Sequence, residues 1–191
     1  MAEHKEKVIY TILGPSGSGK TTLGNFMNDR LNVPECISTT TRKMRKGEKE
    51  GDTYYFVELD EFEKLKKVEE AEYAGNHYCL TKQEIERKLN ENDQVFVIME
   101  RHGIEQMKKL YPELIEIIYI YTNPLRIIKR MWQRGDSLKN ILSRVWNAIK
   151  TKEFQNHDYA DYVIKNHNLN KAKLEISKIV NKNKNQQKKV S

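Results

Sequence analysis

Cysteine is scarce in this chain and long apolar runs are missing. Cys36 and Cys79 are the two cysteines in 191 residues, too few for a disulfide framework or a zinc site. Runs such as Val95–Met99 fall far short of the roughly 20 residues that span a bilayer. Val8–Leu13 is also too short for the apolar core of a signal peptide, and it runs into Gly14 and Pro15 instead of a cleavage site. These absences exclude an integral membrane protein, a secreted disulfide scaffold and a zinc finger, and the chain reads as soluble and cytoplasmic. With only 4 prolines and 9 glycines, no Pro/Gly/Ser linker divides it, and no segment repeats. Hydrophobic residues make up 38% and charged residues 32%, a polar balance that still supports one core at this length.

The net charge of +7 raises the question of nucleic acid. Its location answers it. The last eleven residues, NKNKNQQKKVS, hold Lys182, Lys184, Lys188 and Lys189 and no acid. Without them 30 basic residues face 27 acidic ones, so the body is close to neutral. Residues 182–191 therefore read as a basic, disordered, solubilising tail, and nucleic acid is not an expected partner.

Apolar runs alternate with helical patterns. Strands are expected at Val8–Leu13, Val95–Met99, Leu114–Tyr121 and Tyr162–Ile164, which are short and rich in Val, Ile and Tyr. Leu23, Phe26, Met27 and Leu31 share one helical face, as do Phe62, Leu65 and Val68. Thr81 and Glu84 form a capping box, Asn123-Pro124 reads as a cap followed by proline at the first helical position, and Ala172, Ile176, Ile179 and Val180 mark a last helix. The alternation predicts an α/β fold with a mainly parallel core sheet flanked by helices. Residues 35–80 are polar and turn-rich and read as an inserted substrate lobe. Residues 125–150 read as a pair of basic helices around Arg134-Gly135-Asp136, a hinged flap of the kind that closes over substrates.

Gly14-Pro15-Ser16-Gly17-Ser18-Gly19-Lys20-Thr21 satisfies G-x-x-x-x-G-K-[ST] between an expected strand and an expected helix. Such a loop aims its backbone N–H groups at phosphate oxygens, and the helix that follows presents its positive end. Lys20 would reach the β- and γ-phosphates and Thr21 a magnesium ion. Further on, Arg42 and Arg45 lie three apart beside Ser38, Thr39, Thr40 and Thr41. Arginine forks match phosphate oxygens bidentately, although a solvated basic turn would look similar in isolation. Read alone, Tyr54 and Tyr78 are half-buried aromatics or ligand contacts, and Glu72 is a surface carboxylate or a ligand. Arg126, Arg130 and Arg134 recur at i, i+4 and i+8, one stripe on a helix whose mutual repulsion calls for counter-charge. Glu116, Asp136 or a bound triphosphate could supply it.

From about Val8 to Val180 the sequence resembles the guanylate kinases. The resemblance rests on GPSGSGKTT, STTTRKMRKGE, GDTYYFV, GNHY, RMWQRGD and DYVIKN, in that order. It implies a P-loop kinase core over residues 1–34, 81–124 and 151–181, a GMP-binding lobe at 35–80 and a helical lid at 125–150. It implies that Gly14, Pro15, Ser16, Gly17, Ser18, Gly19, Lys20, Thr21, Thr22 and Asn166 bind ATP, with Asn166 near the adenine. Ser38 and Glu72 would read the guanine edge, while Arg42, Arg45, Tyr54 and Tyr78 would hold the GMP phosphate. A carboxylate suits guanine because it accepts hydrogen bonds from N1–H and the 2-amino group together. Arg130, Arg134 and Arg144 would be the lid arginines at the transferring phosphate, beside Lys20. Mg²⁺ would accompany ATP on Thr21, and a monomer or homodimer is expected.

The match has departures. The family's D-x-D-x-Q-G stretch is Ile98-Met99-Glu100-Arg101-His102-Gly103 here, so Glu100 keeps one carboxylate and Ile98 removes the other. The family's Y-G-[TS] is Tyr78-Cys79-Leu80, which loses a hydroxyl. The expected activity is transfer of the ATP γ-phosphoryl group to GMP or dGMP, with Glu100 carrying alone what the family's pair carries. Two other readings stand beside it: a low-turnover nucleotide-sensing or scaffolding module on the same fold, and a kinase with a changed acceptor base.

Overall fold

The computed structural model describes residues 7–73 and 75–189, without the side chains of 73 and 186–189. Residues 1–6, expected in the core, and 190–191, expected in the tail, lie outside the described residues. β1 (Val8–Leu13) leads into α1 (Lys20–Leu31). β2 (Thr39–Thr40), β3 (Tyr55–Phe56), α2 (Leu59–Glu63), β4 (Lys67–Tyr73) and β5 (Asn76–Thr81) follow. Then come α3 (Lys82–Glu91), β6 (Gln94–Ile98), α4 (Arg101–Leu110) and β7 (Ile115–Tyr121). The chain continues through α5 (Pro124–Gln133), α6 (Leu138–Lys150), a 3-10 helix over Glu153–Tyr159, β8 (Tyr162–Lys165) and α7 (Leu169–Lys189).

Two four-stranded sheets result. The first has the order β6-β1-β7-β8, and every neighbouring pair in it is parallel. β1 is buried along its whole length, as expected for a parallel strand covered on both faces. Its alternate residues serve the two sides. Ile9 and Leu13 pack with Ile85, Leu89, Ile104 and Met107 of α3 and α4. Tyr10 and Ile12 pack with Leu23 and Met27 of α1 and Ala172 and Ile176 of α7. The second sheet has the order β3-β2-β5-β4 and is antiparallel except at β2–β3. Cys36 N–H donates to Phe96 O at 2.8 Å and Phe96 N–H to Pro34 O at 2.9 Å. These bonds tie the entry to this second sheet against β6. The buried Glu84 carboxylate adds a second tie, accepting from Ile37 N–H at 3.1 Å and from Arg87 at 2.8 Å.

Both expected N-cap bonds are present, although the Glu84 side of the expected box is taken by Ile37 N–H and Arg87. Thr81 Oγ1 accepts from Glu84 N–H at 3.2 Å, and Asn123 Oδ1 from Leu125 N–H at 2.9 Å. One expected helical face is not: α2 stops at Glu63, and Val68 belongs to β4, buried in the core. Pairing with β5 satisfies the backbone there, and a five-residue helix suffices to bury Phe62.

The tail also differs from expectation. α7 continues to Lys189 instead of dissolving after residue 181. Asn183 is buried and donates to Tyr10 Oη at 2.9 Å and to a Glu116 carboxylate oxygen at 2.8 Å. Lys184 Nζ donates to Leu31 O, the last residue of α1, at 2.6 Å. Polar side chains aimed inward hold this turn, which a count of apolar residues misses. Glu116, which was a candidate counter-charge for the lid arginines, is committed here. Asn183→Ala leaves the Tyr10 hydroxyl and Glu116 short of a buried partner, so it should lower unfolding free energy by about 1–3 kcal/mol. Chemical denaturation checks this, and a loose tail would show no change.

Candidate active site

The loop after β1 is built as a phosphate cradle. Gly14 and Gly19 take φ of +148° and +103°, and a Cβ would lie 2.6 Å from Ile120 O at Gly14 and 2.3 Å from the Asn166 amide at Gly19. Only glycine fits both the backbone and the space. Lys20 Nζ folds back to donate to Gly14 O at 2.5 Å and Pro15 O at 3.2 Å. Burial pushes its pKa down, opposed by the carboxylates of Glu153 and Glu100. An ammonium parked on carbonyls can move onto phosphate oxygens at little cost. A cavity of about 490 Å³ opens over this loop, lined by Lys20, Thr21, Thr22, Arg130, Arg134 and Asn166 among others.

The arginines of α5 and α6 that the resemblance assigns to a lid divide by burial. Arg130, on α5, donates to Ser18 O at 3.2 Å and Asn166 O at 2.7 Å, and burial lowers its pKa, helped by Arg126. Arg144, on α6, reaches Ser16 Oγ at 3.3 Å. Arg134 is exposed and paired with Asp136, the counter-charge its neighbour in sequence supplies. Asn166 donates to Ser18 O at 2.8 Å and is fully enclosed. Its Nδ2 helps shape the loop, while its buried Oδ1 has no hydrogen-bond partner among the described residues, and the residue lines the cavity above the loop.

The second sheet carries an arginine clamp. Arg42 forms a bidentate ion pair with Glu48 at 2.7 and 3.0 Å, which raises its pKa further, and it lies over the Tyr54 ring at 5.5 Å. Tyr54 and Tyr78 meet edge-to-face at 5.8 Å. Arg45 N–H donates to Glu48 at 2.7 Å, while its side chain is exposed. Ser38 and Tyr54 line a cavity of about 410 Å³ together with Thr21, Glu35 and Ile98. Ile98 also lines a larger cleft of about 930 Å³ that holds Lys20, Glu100 and Arg144. The phosphate loop thus opens onto these adjoining spaces, and the clamp meets the smaller one through Tyr54.

Two expectations about carboxylates need correction. Glu72 does not face the site: it lies near the hairpin tip opposite His77 and is exposed. Glu69 takes the inward place, three residues closer to the core, with a carboxylate oxygen 3.3 Å from where a Cβ on Gly103 would stand. Burial and the nearby Glu100 raise its pKa to about 7. Nor does Glu100 act alone, because its charge helps raise the pKa of Glu69 and of Glu153. Glu153, on the 3-10 helix after α6, has its pKa raised by burial and held back by Thr151 and Lys20.

The guanylate kinase family model matches residues 6–183. The chain belongs to the guanylate kinase family. A guanylate kinase of Fusobacterium nucleatum subsp. nucleatum is 34% identical over 177 residues, 90% of this chain and 95% of that one. One of Wigglesworthia glossinidia brevipalpis is 32% identical over 183 residues, 92% of this chain and 88% of the other. The crystal structure of the Anaplasma phagocytophilum guanylate kinase superposes with a TM-score of 0.70 at 27% identity, covering 92% of this chain and 85% of that one.

In this guanylate kinase family chain the structure brings Lys20, Thr21, Arg130, Arg134, Arg144 and Glu100 around adjoining cavities, and sets Arg42, Tyr54, Tyr78 and Ser38 beside them. Sequence reading missed Glu48, Glu69 and Glu153. Glu48 had a signal, since it closes the same basic segment six residues after Arg42. Glu69 and Glu153 had none without a strand register or a lid geometry. Arg130 and Arg134 should separate in experiment. Arg130→Ala removes the bond to Ser18 O of the loop and the bond to Asn166 O after β8, so it should lose activity and about 1–3 kcal/mol of stability. Arg134→Ala should lose activity at nearly unchanged melting temperature. Thermal unfolding beside initial rates reads both.

Proposed function

We propose that this guanylate kinase family member transfers the γ-phosphoryl group of ATP to GMP or dGMP, giving ADP and GDP or dGDP. One observation carries the reading: Thr21 of the phosphate loop and Ser38 and Tyr54 beside the arginine clamp line one cavity. Two phosphate sites so placed bring a donor and an acceptor phosphate into line. The acceptor phosphate is already anionic, so no general base is required, and the residues act by positioning and by neutralising spread negative charge. Lys20 shifts from Gly14 O and Pro15 O to the donor phosphates. Arg42, already aimed by Glu48, holds the acceptor phosphate with Arg45, Tyr54 and Tyr78. Arg134 and Arg144 approach from the lid as it closes and help exclude water.

A divalent cation fits the donors present. No group of three or more His, Cys, Asp or Glu side chains gathers among the described residues, and the Thr21 hydroxyl is exposed at the loop. That pattern suits Mg²⁺ held mainly by nucleotide phosphates and water, with Thr21 as a direct ligand. Bound there with ATP, it would neutralise charge on the β- and γ-oxygens.

At the base end, Glu69 with Glu100 would meet the guanine N1–H and 2-amino donors, which adenine lacks in that pattern. Leu80 is buried in the core and offers no hydroxyl, so recognition rests on carboxylates. A sensing or scaffolding module is less favoured, because it has no need of both a parked Lys20 in the phosphate loop and an Arg42 fixed in advance by Glu48. Coupled ADP release with GMP, dGMP, AMP, CMP and UMP tests the reading. GMP and dGMP should be phosphorylated and the others at least about 100-fold more slowly. Binding of GMP without transfer would favour the module, and preference for another base the changed acceptor.

The Glu69 carboxyl titrates at about 7 in the free protein, and guanine donors favour its ionised form. GMP binding therefore releases a proton below that pH. GMP affinity should rise as pH increases from 5.5 to about 7 and then level off. Glu69→Gln should remain near the low-pH affinity. Calorimetric titration in buffers of different ionisation enthalpy checks both the slope and the proton release.

A further inference from the structure

The lid carries an aromatic side chain that the phosphate chemistry leaves without a task. Trp146 sits on α6, two residues after Arg144, and is 69% exposed. The buried face of α6 is formed by Ile141 and Ala148. The indole is turned away from that face and lines the cleft of about 930 Å³ that Ile98, Glu100 and His102 also line. An indole left in water forgoes a large apolar burial. Around it the lid wall of this cleft is polar, with Ser143, Asn147 and Lys150.

A base whose edge is read by carboxylates still has two faces to cover. Ile98 provides apolar cover from the sheet, since it lines both the acceptor cavity and the cleft. The other face is open toward the lid. Ile127, Met131 and Ile141 form a cluster separate from the two core clusters among the described residues, so α5 and α6 pack together as one body apart from the apolar core. We propose that Trp146 stacks on the acceptor purine when this body closes, making it a specificity-determining contact for the base face. The proposal rests on the acceptor reading above.

The test uses the full chain with Trp132→Phe as background. Trp132 is on α5, exposed and outside the cleft, and its removal leaves Trp146 as the single tryptophan. GMP added together with a non-hydrolysable ATP analogue should quench and blue-shift its emission. Trp146→Ala should raise the KM for GMP on the order of tenfold, with the KM for ATP within about twofold, and Trp146→Phe should recover most of the loss. Melting temperature should not move. An unchanged KM for GMP in Trp146→Ala, while the wild type phosphorylates GMP, overturns the stacking and leaves the function intact. Equal rises for ATP and GMP overturn it in favour of a general closure contact. A concentration-dependent emission shift without nucleotide assigns the indole to a second copy of the chain. Absence of any transfer to GMP by the wild type overturns the parent reading and this one together.

Discussion

The carbonyl oxygen of Ser18 is the point on which the site depends. It accepts from Asn166 Nδ2 at 2.8 Å, Thr122 Oγ1 at 3.1 Å and Arg130 Nη1 at 3.2 Å. Those donors come from the end of β8, the end of β7 and the lid helix α5. A glycine-rich loop has the backbone freedom to fold many ways, and these bonds select the one that turns its N–H groups to the cavity. They also connect the lid to the sheet through the loop itself. In the proposed reaction, a donor bound at the loop and the position of α5 would therefore be mechanically coupled.

Charge explains the rest of the arrangement. Each strongly basic group rests on a weak or local partner. Lys20 sits on two backbone carbonyls, Arg144 on a hydroxyl, and Arg134 on the neighbouring Asp136. None is locked in a buried carboxylate pair that would be expensive to break. Arg42 is different, because Glu48 fixes its guanidinium before any ligand arrives. On the proposed function, the acceptor clamp is preorganised while the donor and lid groups are parked, which suits a site that closes in order to react.

The fold was largely legible in the sequence, and its reasons are physical. Parallel strands buried on both faces are nearly continuous apolar runs, so β1, β6, β7 and β8 stood out, as did the glycine loop and the caps at Thr81 and Asn123. The hairpin of β4 and β5 was hidden because KVEEAEY carries almost no apolar alternation. Its inward carboxylate was hidden for the same reason. Glu69, Glu70 and Glu72 are equivalent until pairing with β5, including the irregularity between Lys67 and Glu69, decides which one faces α4. The end of α7 failed differently: Asn183 and Lys184 anchor it through polar contacts, and composition alone read it as disorder.

The central claim is that two phosphate sites share one reacting space. Calorimetric binding of a bisubstrate compound, adenosine and guanosine joined through five phosphates, tests it most directly. The account predicts one molecule per chain, bound at least about 100-fold more tightly than ATP or GMP alone, because joining the two ligands makes the second contact intramolecular. Lys20→Met and Arg42→Ala should each remove much of that gain. Binding no tighter than ATP, or unaffected by Arg42→Ala, would contradict the shared space.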